Sequence, residues 1–175
     1  FKRTNLNGQP TIKADIGYVS STDRGTCLKN DNVIIQTCEH VLASLVGLEI
    51  DNVLIKLNAS EPPIMDGSSK YFVEALEKAG IKKLNKKRKE YVVNKVISFK
   101  DEKSGSDITV IPSENYKLTT MVDFGTKILG TQNASIESLS DFKNDISKCR
   151  TFSFLHEIEM LLNKGLIKGG DLNNA

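Results

Sequence analysis

The chain has 175 residues, 39% of them hydrophobic and 26% charged, with a formal net charge of +2. That composition places it among soluble globular proteins of one ordinary domain or two small ones. The charge is too small to point to a nucleic-acid partner, and no apolar run approaches the roughly 20 residues of a membrane-spanning helix.

The N-terminal Phe1-Lys2-Arg3-Thr4-Asn5 carries no secretory signal and reads as a strand cut from something longer. Ile16 to Ser21 reads as extended. Gly25 to Lys29 and Asn32 to Gln36 flank the polar turn Asn30-Asp31, a hairpin pattern. From Thr37 the apolar positions Val41, Leu42, Leu45, Val46 and Leu48 follow helical spacing, with Thr37 as N-cap and Gly47 at the end. Asn52 to Leu57 is partly apolar on both faces and predicts a central strand. Glu61-Pro62-Pro63 breaks regular structure. Asp66-Gly67-Ser68-Ser69 reads as a structural turn, with Gly67 at positive φ. Ser68 or Ser69 then caps a helix carrying Tyr71, Phe72, Ala75, Leu76 and Ala79 before Gly80.

Lys82 to Lys89 holds six basic residues in eight. It reads as a solvated linker, because no aromatic side chains interleave with the charge. The domain boundary is placed there, giving residues 1–88 and 89–175. The second half starts with strands at Tyr91 to Phe99, Ile108 to Ile111 and Lys117 to Phe124, with a turn at Asp101 to Ser106. Helical text follows at Ser138 to Ser147 and Leu155 to Lys164. Both halves run strands first and helices later, which predicts an α+β fold of two related layers.

The chemistry concentrates at Glu39-His40. Metal-assisted hydrolysis needs a neutral nitrogen to hold the ion and a base to take a proton from water. Neighbours on a helix point about 100° apart, so one of the pair can ligate while the other faces the water. Cys38 lies about 200° from His40 around the helix, so both cannot reach one ion. His156 lies off the apolar stripe and reads as an exposed residue. Cys27, Cys38 and Cys149 fit neither a zinc ribbon nor a disulfide framework, and read as structural thiols in a reducing cytosol.

The stretches Thr37 to Ser44, Gly47 to Ile55, Pro62 to Ser69 and Arg150 to Phe154 together resemble the UDP-3-O-acyl-N-acetylglucosamine deacetylases. These are the zinc amidases of lipid A synthesis in Gram-negative bacteria. The resemblance implies two tandem two-layer α/β sandwich domains of similar topology, with helices packed between two sheets. It implies a cytoplasmic enzyme that removes acetate from a UDP-linked 3-O-(3-hydroxyacyl)-N-acetylglucosamine. Zn2+ is the implied cofactor, Glu39 the general base and His40 the first zinc ligand. The two remaining ligands, a His and an Asp on one helix face, are expected beyond Ala175. The chain is therefore expected to be a fragment that binds zinc poorly and has little activity alone.

By the same resemblance, the Thr151 hydroxyl stabilises the oxyanion and Phe152 helps to bind substrate. Ile158, Ile167, Leu172 and Ala175 match positions lining a passage for the acyl chain. The family often has Asp where this chain has Asn173. The tract Thr120 to Lys127, with Arg150 to Phe154 and Gly169 to Ala175, resembles the version fused to a β-hydroxyacyl-acyl-carrier-protein dehydratase. Two other readings compete: a non-catalytic module of the same fold using the Lys82 to Lys89 face for an anionic partner, and an amidase for another acylated amino sugar.

Overall fold

The computed structural model describes residues 1–23, 25–154, 157, 158, 160, 163 and 174. The fold is α+β, and the chain groups into two compact units: Phe1–Ile81 with Phe142–Ala175, and Lys82–Asp141.

The first unit is built on short strands. β1 (Lys2–Arg3) has its partner far along the chain, in β5 (Lys56–Leu57), and the two run parallel. β2 (Val19–Ser21), β3 (Cys27–Asn30) and β4 (Val33–Ile35) form an antiparallel sheet in that order. The β3–β4 hairpin turns through Asp31 at φ 50°, a left-handed conformation that an Asp side chain tolerates. Its register sets Leu28 opposite Ile35, on the face turned to the core. Both are essentially inaccessible, at 2% and 0% exposure, and they pack with Phe1, Ile12, Cys38, Val41 and Leu57. Arg3 ties two sheets together: its guanidinium donates to the Ile34 carbonyl at 2.7 Å and to Asn5 Oδ1 at 3.1 Å.

Truncating Ile35 to Ala removes branched carbon from the middle of this cluster. The expected loss of stability is about 2–5 kcal/mol, measured by urea unfolding. A loss below about 1 kcal/mol contradicts the core assignment.

α1 (Glu39–Gly47) buries Val41, Ser44 and Leu45 and packs against α2 (Lys70–Ala79). Phe72 from α2 lies against the same core. Gly47, the last residue of α1, leaves room for an aromatic ring: a Cβ there would sit 2.0 Å from Phe142. Lys143 pairs with Glu77 of α2 at 2.7 Å. Phe142 and Lys143 thus dock on α1 and α2 respectively.

The second unit holds two antiparallel hairpins among its described residues: β6 (Ile97–Lys100) with β7 (Asp107–Val110), and β8 (Leu118–Asp123) with β9 (Thr131–Ile136). The β6–β7 turn is closed by Asp101, whose carboxylate accepts from the Ser104 hydroxyl at 2.7 Å.

Several elements differ from the sequence expectation. Ile16–Tyr18 is a tight helical turn, because Asp15 accepts the Gly17 N–H at 2.9 Å; extended chain starts at Val19. The strand expected over Asn52 to Leu57 is confined to Lys56–Leu57, since β1 offers a partner of only two residues. Val53 and Leu54 stand half-exposed instead. The strand expected from Tyr91 starts at Ile97, where its partner β7 becomes available. β9 was not expected at all. Ser138 to Ser147, expected as a helix, is two short turns over Leu139–Asp141 and Phe142–Ile146, the latter closed by Ser147 N–H on the Phe142 carbonyl at 2.7 Å. The helix expected at Leu155 to Lys164 lies largely outside the described residues, as do His156, Asn173 and the turn at Gly169-Gly170.

Candidate active site

The site forms where β3 begins and α1 begins. Thr37 does not cap the helix. It sits at φ 50°, a strained conformation for a β-branched residue, of the kind that clusters at functional sites. Cys38 occupies the position before the first helical turn and makes no side-chain cap bond. The helix thus opens directly on Glu39 and His40.

Glu39 is fixed by main chain. Its Oε2 accepts the Thr26 N–H at 2.9 Å. Its Oε1 lies 4.0 Å from His40 Nε2. The imidazole is mostly sheltered, at 19% exposure, and makes no hydrogen bond to the described residues. Its main-chain carbonyl accepts the Ser69 hydroxyl at 2.9 Å. So one carboxylate oxygen is pinned, the other faces a ring nitrogen, and the helix carrying both is tied to the start of α2.

Cys38 is completely buried, and its Sγ donates to the Thr26 carbonyl at 3.3 Å. Burial, and then the nearby Glu39 charge, push this thiol up to about 11 from an ordinary 9.0. The unfolded chain's thiol ionises first, so the stability held below pH 9 is lost as the pH climbs toward about 11. Urea midpoints of the native chain are expected to fall more steeply over that interval than those of Cys38→Ser, and equal slopes contradict the shift.

The Asp66 to Ser69 turn joins the two sequence blocks. Asp66 Oδ1 accepts the Ser68 hydroxyl at 2.7 Å and the Ser68 N–H at 3.1 Å. Ser69 stands at the head of α2 without capping it; the Lys70 N–H goes to Ser68 Oγ at 3.1 Å. On the other side, Arg150 Nε donates to the Asp66 carbonyl at 2.8 Å and the Thr151 N–H to the Gly67 carbonyl at 2.7 Å. Gly67 has φ +79°, as the turn requires. The turn therefore contacts His40 through Ser69 and Thr151 through Gly67.

Phe152 is 58% exposed and meets Phe154 edge-on, with ring centroids 6.0 Å apart. Ile158 is half-buried. Ile167, Leu172 and Ala175 lie outside the described residues. Sequence reasoning missed the Thr26 N–H and the Ser69 hydroxyl. A backbone donor leaves no sequence signal, and Ser69 reads from sequence only as a cap. Among the described residues, no group of three His, Cys, Asp or Glu side chains converges to hold a metal ion. His40 offers an imidazole with no hydrogen bond to the described residues, which suits one ligand of a set completed elsewhere.

A model of the UDP-3-O-acyl N-acetylglycosamine deacetylase family, LpxC, matches residues 1–175. The chain belongs to that family. It is 44% identical over 175 residues to the bifunctional enzyme LpxC/FabZ of Bacteroides thetaiotaomicron, covering all of this chain and 38% of that protein. The enzyme of the same name from Porphyromonas gingivalis is 41% identical, with the same coverage. The UDP-3-O-acyl-N-acetylglucosamine deacetylase of Saccharophagus degradans is 38% identical over 179 residues, and the chain spans 58% of it. The chain thus spans between a third and three-fifths of these curated relatives.

Proposed function

We propose that the chain carries the base and one metal-holding residue of a zinc-dependent N-deacetylase. Its substrate is UDP-3-O-(3-hydroxyacyl)-N-acetylglucosamine and its products are the free amine and acetate, in lipid A biosynthesis in the cytoplasm. The observation that carries this reading is the Glu39–His40 pair: one carboxylate oxygen fixed, the other 4.0 Å from a free imidazole nitrogen. The family match over the whole chain supports it.

His40 Nε2 would hold the zinc, with the other ligands supplied from beyond Ala175. A zinc ion held there would supply a water whose pKa is lowered to about 7 and a polarised amide carbonyl. Glu39 Oε1 takes the proton from the attacking water and later returns one to the leaving nitrogen. Oε2 stays bonded to the Thr26 N–H, so the carboxylate keeps its aim through both transfers. The Thr151 hydroxyl donates to the oxygen that becomes negative, and Phe152 lies against the substrate. Ile158, Ile167, Leu172 and Ala175 line the acyl passage, where each buried methylene contributes roughly 0.8 kcal/mol.

Two relatives named LpxC/FabZ support a fused second activity, an acyl-carrier-protein dehydratase, in the longer protein. The test is acetate release from the UDP-linked substrate by the complete protein, before and after chelation and on zinc return. Activity that survives thorough chelation, or that ignores the UDP group, contradicts the reading.

A further inference from the structure

We propose that the main chain of Thr26, held from its far side by Cys38, is the positioning element that decides which oxygen of Glu39 is free for proton transfer. The inference deepens the deacetylase reading and rests on it.

The geometry is a two-ended clamp. The Thr26 N–H donates to Glu39 Oε2 at 2.9 Å. The Thr26 carbonyl accepts the Cys38 N–H at 3.3 Å and the Cys38 thiol at 3.3 Å. One residue just before β3 is thus bonded at both ends to two consecutive residues at the start of α1. Rotation of the carboxylate breaks a charge-assisted bond. Displacement of the Thr26 peptide breaks bonds to a residue with no exposed surface. The completely buried thiol has no place in the hydrolytic steps, yet it makes one of these bonds.

Gly25 completes the arrangement. Its φ lies outside the left-handed region, so the backbone does not require glycine there. Space does: a Cβ at Gly25 would lie 3.2 Å from Glu39 Oε1, 3.5 Å from Thr37 Oγ1 and 3.7 Å from Glu39 Oε2. The bare backbone keeps the unpinned oxygen clear of a side chain. A methyl group there must push the carboxylate by a few tenths of an ångström or be pushed itself.

Two readouts test this. The first needs no activity: hydrogen exchange of the Thr26 amide, followed by NMR in the labelled chain. Glu39→Ala removes the acceptor and is expected to speed that exchange at least about tenfold, with core amides of β3 and β4 unchanged. Cys38→Ala is expected to speed it less, and Cys38→Ser, which keeps a donor, to restore it. The second readout is kinetic, in the complete protein. Cys38→Ala and Gly25→Ala are expected to lower kcat about tenfold, with KM held within about twofold. Zinc content stays unchanged and Cys38→Ser recovers the rate. Thr26 exchange that ignores Glu39→Ala overturns the clamp whatever the activity. So does a kcat untouched by both Cys38→Ala and Gly25→Ala. Full activity in Glu39→Gln overturns the deacetylase reading instead, and the exchange result then stands as a separate fact about the fold.

Discussion

In the complete protein, Glu39→Gln is expected to lower kcat for acetate release by about 10²–10⁴-fold. The substitution is nearly isosteric. The amide oxygen still accepts the Thr26 N–H, so the local fold holds, but the group no longer takes a proton from water. KM and zinc content are expected to stay near their native values, because the metal-holding role is proposed for His40 and not for Glu39. That combination separates loss of a base from loss of a ligand. His40→Ala is expected to lower zinc content and rate together. A Glu39→Gln protein with native kcat contradicts the assignment of the base.

The second large effect is expected at Gly67. A Cβ at this position would lie 2.1 Å from the Asn174 carbonyl oxygen and 3.1 Å from Thr151 Cγ2. The glycine also has φ +79°, which any other residue adopts under strain. Backbone cannot yield as a flexible side chain does, so Gly67→Ala forces the Asn174 main chain off the turn and crowds the Thr151 methyl. The expected cost is about 3 kcal/mol or more in urea unfolding. Faster proteolysis within residues 148–154 is expected to accompany it. Native stability in this variant contradicts the close approach of Asn174 and Thr151 to Gly67.

The parts of the fold legible in the sequence were those encoded locally. The β3–β4 hairpin follows from two short apolar runs around Asp31, and α1 and α2 from apolar residues at helical spacing. Gly67 follows from a turn that needs positive φ. What stayed illegible depends on partners distant in the chain. β9, Thr-Gln-Asn-Ala-Ser-Ile, has only Ala134 and Ile136 as apolar residues and becomes a strand because β8 pairs with all six of its positions. β5 is short because its partner β1 is short. The same distinction holds at the site. Glu39 and His40 stand out as neighbouring side chains with complementary chemistry. The Thr26 N–H, which every non-proline residue possesses, does not. Thr37 carries helix-cap chemistry in its sequence, but its conformation is set by the chain entering α1 from β4.

The most direct measurement of the central claim is a zinc-edge anomalous difference map from crystals of the complete protein. One strong peak is expected about 2.0–2.1 Å from His40 Nε2, with a solvent oxygen between it and Glu39 Oε1. A peak elsewhere, with the His40 ring facing no metal and Glu39 reaching no solvent, contradicts it.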